Sequence, residues 1–211
     1  IVGGGSAAFA AAFHAKSLGV KVTMINEGLP IGGTCINVGC IPSKNLIRAA
    51  ETVHKANHNG FDGISTSGRV NDFHALIEAK RRLIHGLRER KYIDNIKELE
   101  GFEYIEGHAT ITTPTSVKVA DRIIEGSHIL LCTGAHPLIP DIEGLGEVDY
   151  LTNKEAFELD ELPESIIIVG GSYIAVEVAQ MFSRLGSKVT ILQRSDRILS
   201  TEEADLTDEL T

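Results

Sequence analysis

Tryptophan is absent from the 211 residues, methionine occurs twice, proline six times and cysteine three times. Three cysteines exclude the disulfide framework of a small secreted domain, which closes several bridges to compensate for a thin core. Basic residues are also short: 20 Lys and Arg stand against 29 Asp and Glu, a formal charge of −9. This balance excludes nonspecific attachment to nucleic acid or to an anionic membrane, both of which need excess cations. No run of 18 apolar residues occurs, so no transmembrane helix and no membrane partner are expected. Residues 1–15, although rich in small apolar side chains, lack the basic lead of a secretion signal. A cytoplasmic, reducing location is therefore expected. Two of the three cysteines lie close together, which in such a compartment reads as redox or metal chemistry.

What is plentiful is glycine, 21 residues, within a chain that is 43% hydrophobic. The pattern predicts an α/β fold made of two Rossmann-like dinucleotide-binding units with a small antiparallel β insertion. The first unit is a strand ending at Val2, a glycine turn, a helix over 6–18 and a strand over 20–25. The opening strand reads as having lost its beginning. Helices follow over 43–57 and 72–97, the second capped by Asn71 or Asp72. Short alternating runs over 102–124 read as small antiparallel strands. Residues 129–132 form a continuous apolar run suited to a sheet buried on both faces. A turn-rich connector over 137–145 leads to a boundary near Asp149, after which strands over 166–169 and 189–192 flank a second glycine turn and helix. The acidic tail over 201–211 is helix-like.

Gly3-Gly4-Gly5-Ser6-Ala7-Ala8 fits the pattern G-x-G-x-x-A. Gly3 permits the tight turn, Gly5 lets backbone approach a pyrophosphate, and Ala8 allows close helix–strand packing. The N–H groups at Ser6 and Ala7 then face the phosphates at the positive end of the helix. Glu27, at the end of the second strand, stands where an acid accepts hydrogen bonds from ribose hydroxyls.

Cys35 and Cys40 lie in the stretch 32–44, Gly-Gly-Thr-Cys-Ile-Asn-Val-Gly-Cys-Ile-Pro-Ser-Lys. Five residues of regular helix rotate about 500°, or about 140° net, so on such a helix the sulfurs would not meet. A disulfide requires a distorted first turn, which Asn37 and Gly39 tolerate. A helix beginning after the pair would aim its dipole at the sulfurs and lower a thiol pKa. Zinc is the weaker reading, because no second pair of ligands lies nearby. A structural disulfide stays open as a further alternative. Cys132, in the apolar run, reads as a small core residue.

This stretch resembles the redox motif of the class I flavin-dependent pyridine nucleotide–disulfide oxidoreductases, which include dihydrolipoamide dehydrogenase, glutathione reductase and mercuric reductase. The similarity covers essentially the whole chain and is nearest to the mercuric reductases, through residues 31–35, 46–51, 88–93 and 106–110. The resemblance implies that Cys40 lies against FAD and that Cys35 exchanges with the outside thiol. It implies that Lys44 approaches the flavin and pairs with Glu177. It places Gly33 and Thr34 beside the cofactor, Gly107, His108 and Ala109 at the adenine, and Thr133 and Gly134 where the chain leaves the FAD domain.

Residues 1–148 are expected to form that domain and 149–211 the start of an NAD(P)H domain. The second glycine motif, Gly170-Gly171-Ser172-Tyr173-Ile174-Ala175, has serine at its middle position. A serine there is small enough for phosphate approach, and Tyr173 resembles an aromatic that covers the nicotinamide. Gln193 and Arg194 stand where NAD enzymes carry an acid. Guanidinium welcomes a 2′-phosphate that an acid would repel, so NADPH is favoured, with Arg197 assisting.

The function implied is electron transfer from NADPH through FAD to a Cys35–Cys40 disulfide, and onward to Hg(II), which both sulfurs hold transiently. A lipoamide or other disulfide reductase is the alternative on the same scaffold. A noncatalytic flavin- or metal-binding fragment is the alternative of another class. The resemblance also implies a later segment closing the FAD site, a dimerisation domain and a C-terminal cysteine pair. None of these occurs in the 211 residues, so a homodimer is expected only of a longer protein, and this stretch alone is expected to be inactive.

Overall fold

Where an apolar run borders a glycine turn, the chain forms parallel strands joined by helices. The computed structural model describes residues 1–210. Two compact units emerge, one from Ile1–Ile41 with Arg81–Val148, the other from Pro42–Lys80 with the chain from Asp149 onward.

In the first unit, Val2 is bridged in parallel to both Ile25 and Leu131. Helix α1 (Ser6–Ser17) follows and leads into β1 (Val22–Asn26). Ala8, Phe9 and Ala12 on α1 are buried with Val22, Met24 and Ile31, so the small residues of the glycine motif set how near helix and strand approach. Strand β2 (Phe102–Glu106) pairs in parallel with β1, from Val22 opposite Phe102 to Asn26 opposite Glu106. This corrects the antiparallel expectation for that segment: alternation marks a strand but does not name its partner. The antiparallel insertion begins later, as the meander β3 (Ala109–Thr113), β4 (Ser116–Val119) and β5 (Arg122–Glu125). Val117 and Val119 bury one face of it with Ile25.

The run 129–132 is not buried on both faces. Leu130 and Leu131 are 46% and 60% exposed. The segment meets the sheet through one bridge to Val2, so only one edge is covered.

In the second unit lies most of helix α3 (Cys40–Asn57). It starts at Cys40, three residues earlier than expected, because Cys40 itself opens the first turn. The expected helix over 72–97 is three elements: α4 (Phe73–Arg88), a π-helical turn (Glu89–Ile93) and α5 (Asp94–Lys97). Asp72 caps the start, its Oδ1 accepting from the Ala75 N–H at 2.8 Å. Helix α6 (Asn153–Ala156) opens on a capping box between Thr152 and Glu155. Strands β6 (Ser165–Val169) and β7 (Lys188–Leu192) are parallel and joined through α7 (Tyr173–Leu185). The acidic tail forms α8 (Ala204–Leu210). Leu46, Ala50, Phe73, Ile77, Met181 and Phe182 form the core of this unit. Lys80 is fully buried, its Nζ donating to the Phe157 carbonyl and to Glu158 Oε1. Pairing of this kind is what makes a buried ammonium tolerable.

Candidate active site

The first glycine turn brings three chain segments into contact. Gly3 has φ +115°, and a Cβ there would stand 2.1 Å from the Cys132 carbonyl oxygen. Gly32 N–H donates to the Gly4 carbonyl at 2.7 Å, and a Cβ on Gly33 would lie 2.6 Å from Gly5 Cα. The loop before Cys35 therefore rests directly on the turn that opens α1. Gly5 is the N-cap of α1 in extended conformation, with no side chain capping the helix. Ser6 and Ala7 are exposed. Their N–H groups are thus left for an anion rather than for a cap.

Glu27 and His108 meet at the end of β1, with 2.6 Å between Glu27 Oε2 and His108 Nδ1. Gly107 N–H donates to the Asn26 carbonyl at 2.9 Å, which sets Ala109 and the start of β3 beside the same end of the sheet. Thr133 and Gly134 are exposed residues following Cys132, whose N–H donates to the Val2 carbonyl at 2.7 Å. Cys132 itself is half-buried and packs on the core around Phe9.

Cys35 sits on helix α2 (Gly33–Asn37), and Cys40 opens α3. The helix is interrupted at Val38 and Gly39, not merely distorted in one turn. A Cβ on Gly39 would stand 3.0 Å from the Thr34 carbonyl and 3.4 Å from Cys35 Cα. That close approach is what brings two sulfurs five residues apart to one place. They are present as thiols, with Cys35 hydrogen-bonded to Cys40. Burial, followed by the hydrogen bond and the charge of Cys40, pushes the Cys35 thiol up. At Cys35, desolvation and the Cys40 partner therefore act against the lowering that a helix dipole aimed at the sulfurs would bring.

Beyond the backbone tolerance expected of Asn37, its side chain holds the loop together. It is buried, and Nδ2 donates to the Pro30 carbonyl at 2.9 Å and to the Gly33 carbonyl at 2.8 Å. Its Oδ1 accepts from Arg88 Nη1 at 2.9 Å. A polar residue within an apolar stretch between two cysteines was the available signal, since a buried amide needs partners.

In the second unit, Lys44 Nζ lies 2.5 Å from Glu177 Oε1. Gly170 has φ +108°, and Ser172 caps α7 in extended conformation with no side-chain hydrogen bond to the helix. Tyr173 and Ile174 are exposed, and the Tyr173 hydroxyl donates to Glu202 Oε1, which raises the phenol pKa. Gln193 packs under Gly171, where a Cβ would stand 3.1 Å from its Cδ. Its Nε2 donates to the Arg197 carbonyl at 3.4 Å, and Arg194 beside it is exposed.

A profile of the pyridine nucleotide-disulphide oxidoreductases matches residues 1–211. The chain belongs to this family. It is 42% identical to mercuric reductase from Staphylococcus aureus over 99% of this chain and 38% of that protein. Against mercuric reductase from Streptomyces lividans it is 44% identical over 98% of this chain and 44% of that protein. The fold matches the HOCl-induced flavoprotein disulfide reductase RclA from Escherichia coli, solved as a Cu(II) complex, with a TM-score of 0.85 and 32% identity. That match covers 99% of this chain and 44% of the other. The chain thus spans less than half the length of these relatives.

Family membership implies FAD and a pyridine nucleotide, and the residues present fit both. The Gly5–Gly33 contact leaves no side chain over the start of α1, and Glu27 stands exposed at the end of β1. The second glycine turn likewise leaves the first turn of α7 without a side-chain cap. A cavity of about 520 Å³ in the second unit is a different feature, lined in part by His54, His58 and Arg184. His54 and His58 lie at or just beyond the end of α3, and Arg184 lies in the last turn of α7, where its guanidinium complements the helix dipole. Among the described residues no cluster of three potential metal ligands occurs, and no helix is long and apolar enough to cross a membrane.

Proposed function

We propose that the full-length protein carrying this chain is an FAD-dependent, cytoplasmic, homodimeric mercuric reductase that consumes NADPH and Hg(II) and releases NADP⁺, Hg(0) and a proton. The observation that carries this reading is the meeting of Cys35 and Cys40 across the break at Gly39. The substrate assignment is supported by the mercuric reductases to which the chain is similar.

Bound FAD supplies two-electron redox chemistry, accepting hydride from the nicotinamide. Gly3, Gly5, Ser6, Ala7, Gly33, Thr34, Glu27, Gly107, His108, Ala109, Thr133 and Gly134 are assigned to holding it, within a domain of residues 1–148. Residues from 149 onward begin the NADPH domain, with Gly170, Ser172, Tyr173 and Ile174 at the nucleotide. The preference for NADPH rests on Gln193 and the exposed Arg194, which offer donors where an acid would repel a 2′-phosphate. Lys44, with Glu177, sets the charge near the flavin.

Cys35 is the exchange thiol and Cys40 the flavin-side thiol. The two thiols bind Hg(II) by forming two S–Hg bonds and releasing two protons, and two thiolates suit a soft ion. The test is NADPH oxidation by the full-length protein with Hg(II) or with lipoamide as acceptor. Hg(II)-dependent oxidation that disappears in Cys40→Ser supports the reading. Turnover that favours lipoamide, or that persists unchanged in Cys40→Ser, overturns it.

A further inference from the structure

The 520 Å³ cavity of the second unit lies where the C-terminal ends of α3 and α7 meet the loop at Gly68 and Arg69. Its lining carries four basic side chains, His54, His58, Arg69 and Arg184, and no Asp or Glu. Among the described residues none of the four forms an ion pair. Acids outnumber bases 29 to 20 in this chain, so a basic wall without one acid is not its average surface. The loop is held by a reciprocal clamp. Asn57 Nδ2 donates to the Gly68 carbonyl at 2.9 Å, and Asn57 Oδ1 accepts from the Gly68 N–H at 2.8 Å. A Cβ on Gly68 would stand 2.9 Å from Ala56 Cβ, so the loop lies directly on α3. Arg69 Nε donates to Asn71 Oδ1 at 2.9 Å, which leaves the two Nη groups for another acceptor.

Helix dipoles do not balance these cations. Each helix C-terminus carries about half a negative charge, so the two ends together offset about one of the two guanidiniums. The imidazoles add to the remainder whenever they are protonated. His54 and His58 stack with 4.3 Å between centroids, their planes 22° apart. Burial, then the charges of Arg184 and His58, hold the His54 imidazole below its ordinary pKa. His58 Nδ1 lies 3.0 Å from the His54 carbonyl oxygen, which can only accept. Nδ1 therefore carries the hydrogen, and Nε2 is left for another partner.

We propose that this cavity binds the phosphate group of a small phosphorylated molecule, with Arg184 and Arg69 as its principal contacts. A phosphate offers acceptor oxygens in several directions, and the donors here come from α3, α7 and the loop at Arg69; a carboxylate has only two oxygens, in one plane. The volume falls in the range of small-molecule sites. It leaves space beside the phosphate for an organic body against Val53 and the buried Leu185. The site is separate from the one assigned to NADPH. That assignment uses the N-terminal end of α7, and a helix of 13 residues sets its two ends about 20 Å apart. The inference goes beyond the functional reading and does not depend on it.

The experiment is isothermal titration calorimetry of the full-length protein, with FAD and NADP⁺ present to fill the assigned nucleotide sites. The probes are glycerol 3-phosphate, inorganic phosphate and acetate, in salt of about 0.1 M. Glycerol 3-phosphate is expected to bind with a Kd of about 1 mM or below. It binds more tightly than inorganic phosphate, and acetate binds at least about tenfold more weakly than either. Arg184→Met and Arg69→Met each weaken glycerol 3-phosphate about tenfold, and Arg184→Lys, which keeps the charge but not the fork, weakens it less. Asn57→Ala keeps all four cations but releases the loop, and weakens binding as well. Arg69 is exposed, so Arg69→Met decides the matter if circular dichroism shows that Arg184→Met does not fold. The proposal is overturned if neither phosphate binds, if binding is unchanged in the folded methionine variants, or if acetate binds as tightly as phosphate. Inorganic phosphate binding more tightly than glycerol 3-phosphate would assign the cavity to the free ion and overturn the phosphorylated molecule as ligand.

Discussion

Lys44 on α3 and Glu177 on α7 form an ion pair at 2.5 Å, although their side chains are 58% and 40% exposed. A pair so open to solvent contributes only about 0.2–1 kcal/mol to stability. A double-mutant cycle with Lys44→Met and Glu177→Gln is therefore expected to show a coupling within that range by urea unfolding. If the pair stands beside the flavin as proposed, flavin reduction by NADPH in the full-length protein falls about tenfold or more in each single variant, because a charge beside reacting groups acts where bound cofactor displaces solvent. A large stability loss with unchanged flavin reduction would assign the pair to structure alone.

Gly3 and Gly5 belong to one motif but answer to different constraints. At Gly3 the backbone is left-handed and a Cβ would overlap the Cys132 carbonyl, whereas at Gly5 φ is −92° and a Cβ meets only Gly33 Cα at 3.7 Å. Gly3→Ala is expected to destabilise the protein by about 2–4 kcal/mol. Gly5→Ala is expected to stay within about 1 kcal/mol of wild type, yet, under the proposed assignment of Gly5 to the pyrophosphate, to bind FAD at least about tenfold more weakly, because the new methyl would stand in its way. Thermal unfolding of the flavin-free forms and fluorescence titration with FAD separate the two effects.

Both strand–glycine–helix units were legible because a glycine turn between apolar runs leaves the backbone few options. Partnership was not legible. The alternation over Phe102–Glu106 marks a strand, but its parallel match to β1 depends on residues some eighty positions away. The π turn was hidden because Ile84 and Leu87 keep helical spacing right up to it. At the cysteines, spacing alone demanded a break in regular helix, and the close approach at Gly39 supplies it. A helix dipole can be inferred from sequence, while the desolvation that raises the Cys35 thiol depends on tertiary burial and is not legible there.

Glu51 offers a pH signature that is independent of the cysteines. Lys55, then Arg48, hold its carboxyl at about 2, below the usual 4.5. Both partners lie on the same helix, at 2.7 Å each. A carboxyl with a depressed folded pKa adds stability that is fully present above its unfolded pKa and is lost as pH falls through the folded value. The Glu51→Gln variant should therefore be less stable than wild type at pH 7, and the difference should shrink between pH 4.5 and about 2. Urea unfolding at pH 7 and pH 3 checks the sign. A gap that widens on acidification would contradict the assignment. Because the pair is open to solvent, added salt should narrow the gap at pH 7.

The bond between Asn37 and Arg88 yields the most direct test of how the cysteine loop is held. Asn37→Ala removes a donor from the Pro30, Ile31 and Gly33 carbonyls and the acceptor of the Arg88 guanidinium at once, since all use the one amide, and leaves Pro30 with only the Gly33 N–H. Leaving buried polar groups without partners costs about 1–3 kcal/mol. Asn37→Asp keeps an acceptor for Arg88 but loses both N–H donors, so its stability should fall between alanine and wild type. Arg88→Met removes only the outer partner and should cost less than Asn37→Ala. Disulfide formation in an oxidised dithiothreitol buffer should follow the same order, because the loop that Asn37 ties down carries Cys35 toward Cys40. If Asn37→Ala unfolded and oxidised like wild type, the break at Gly39 would suffice by itself to hold the sulfurs together.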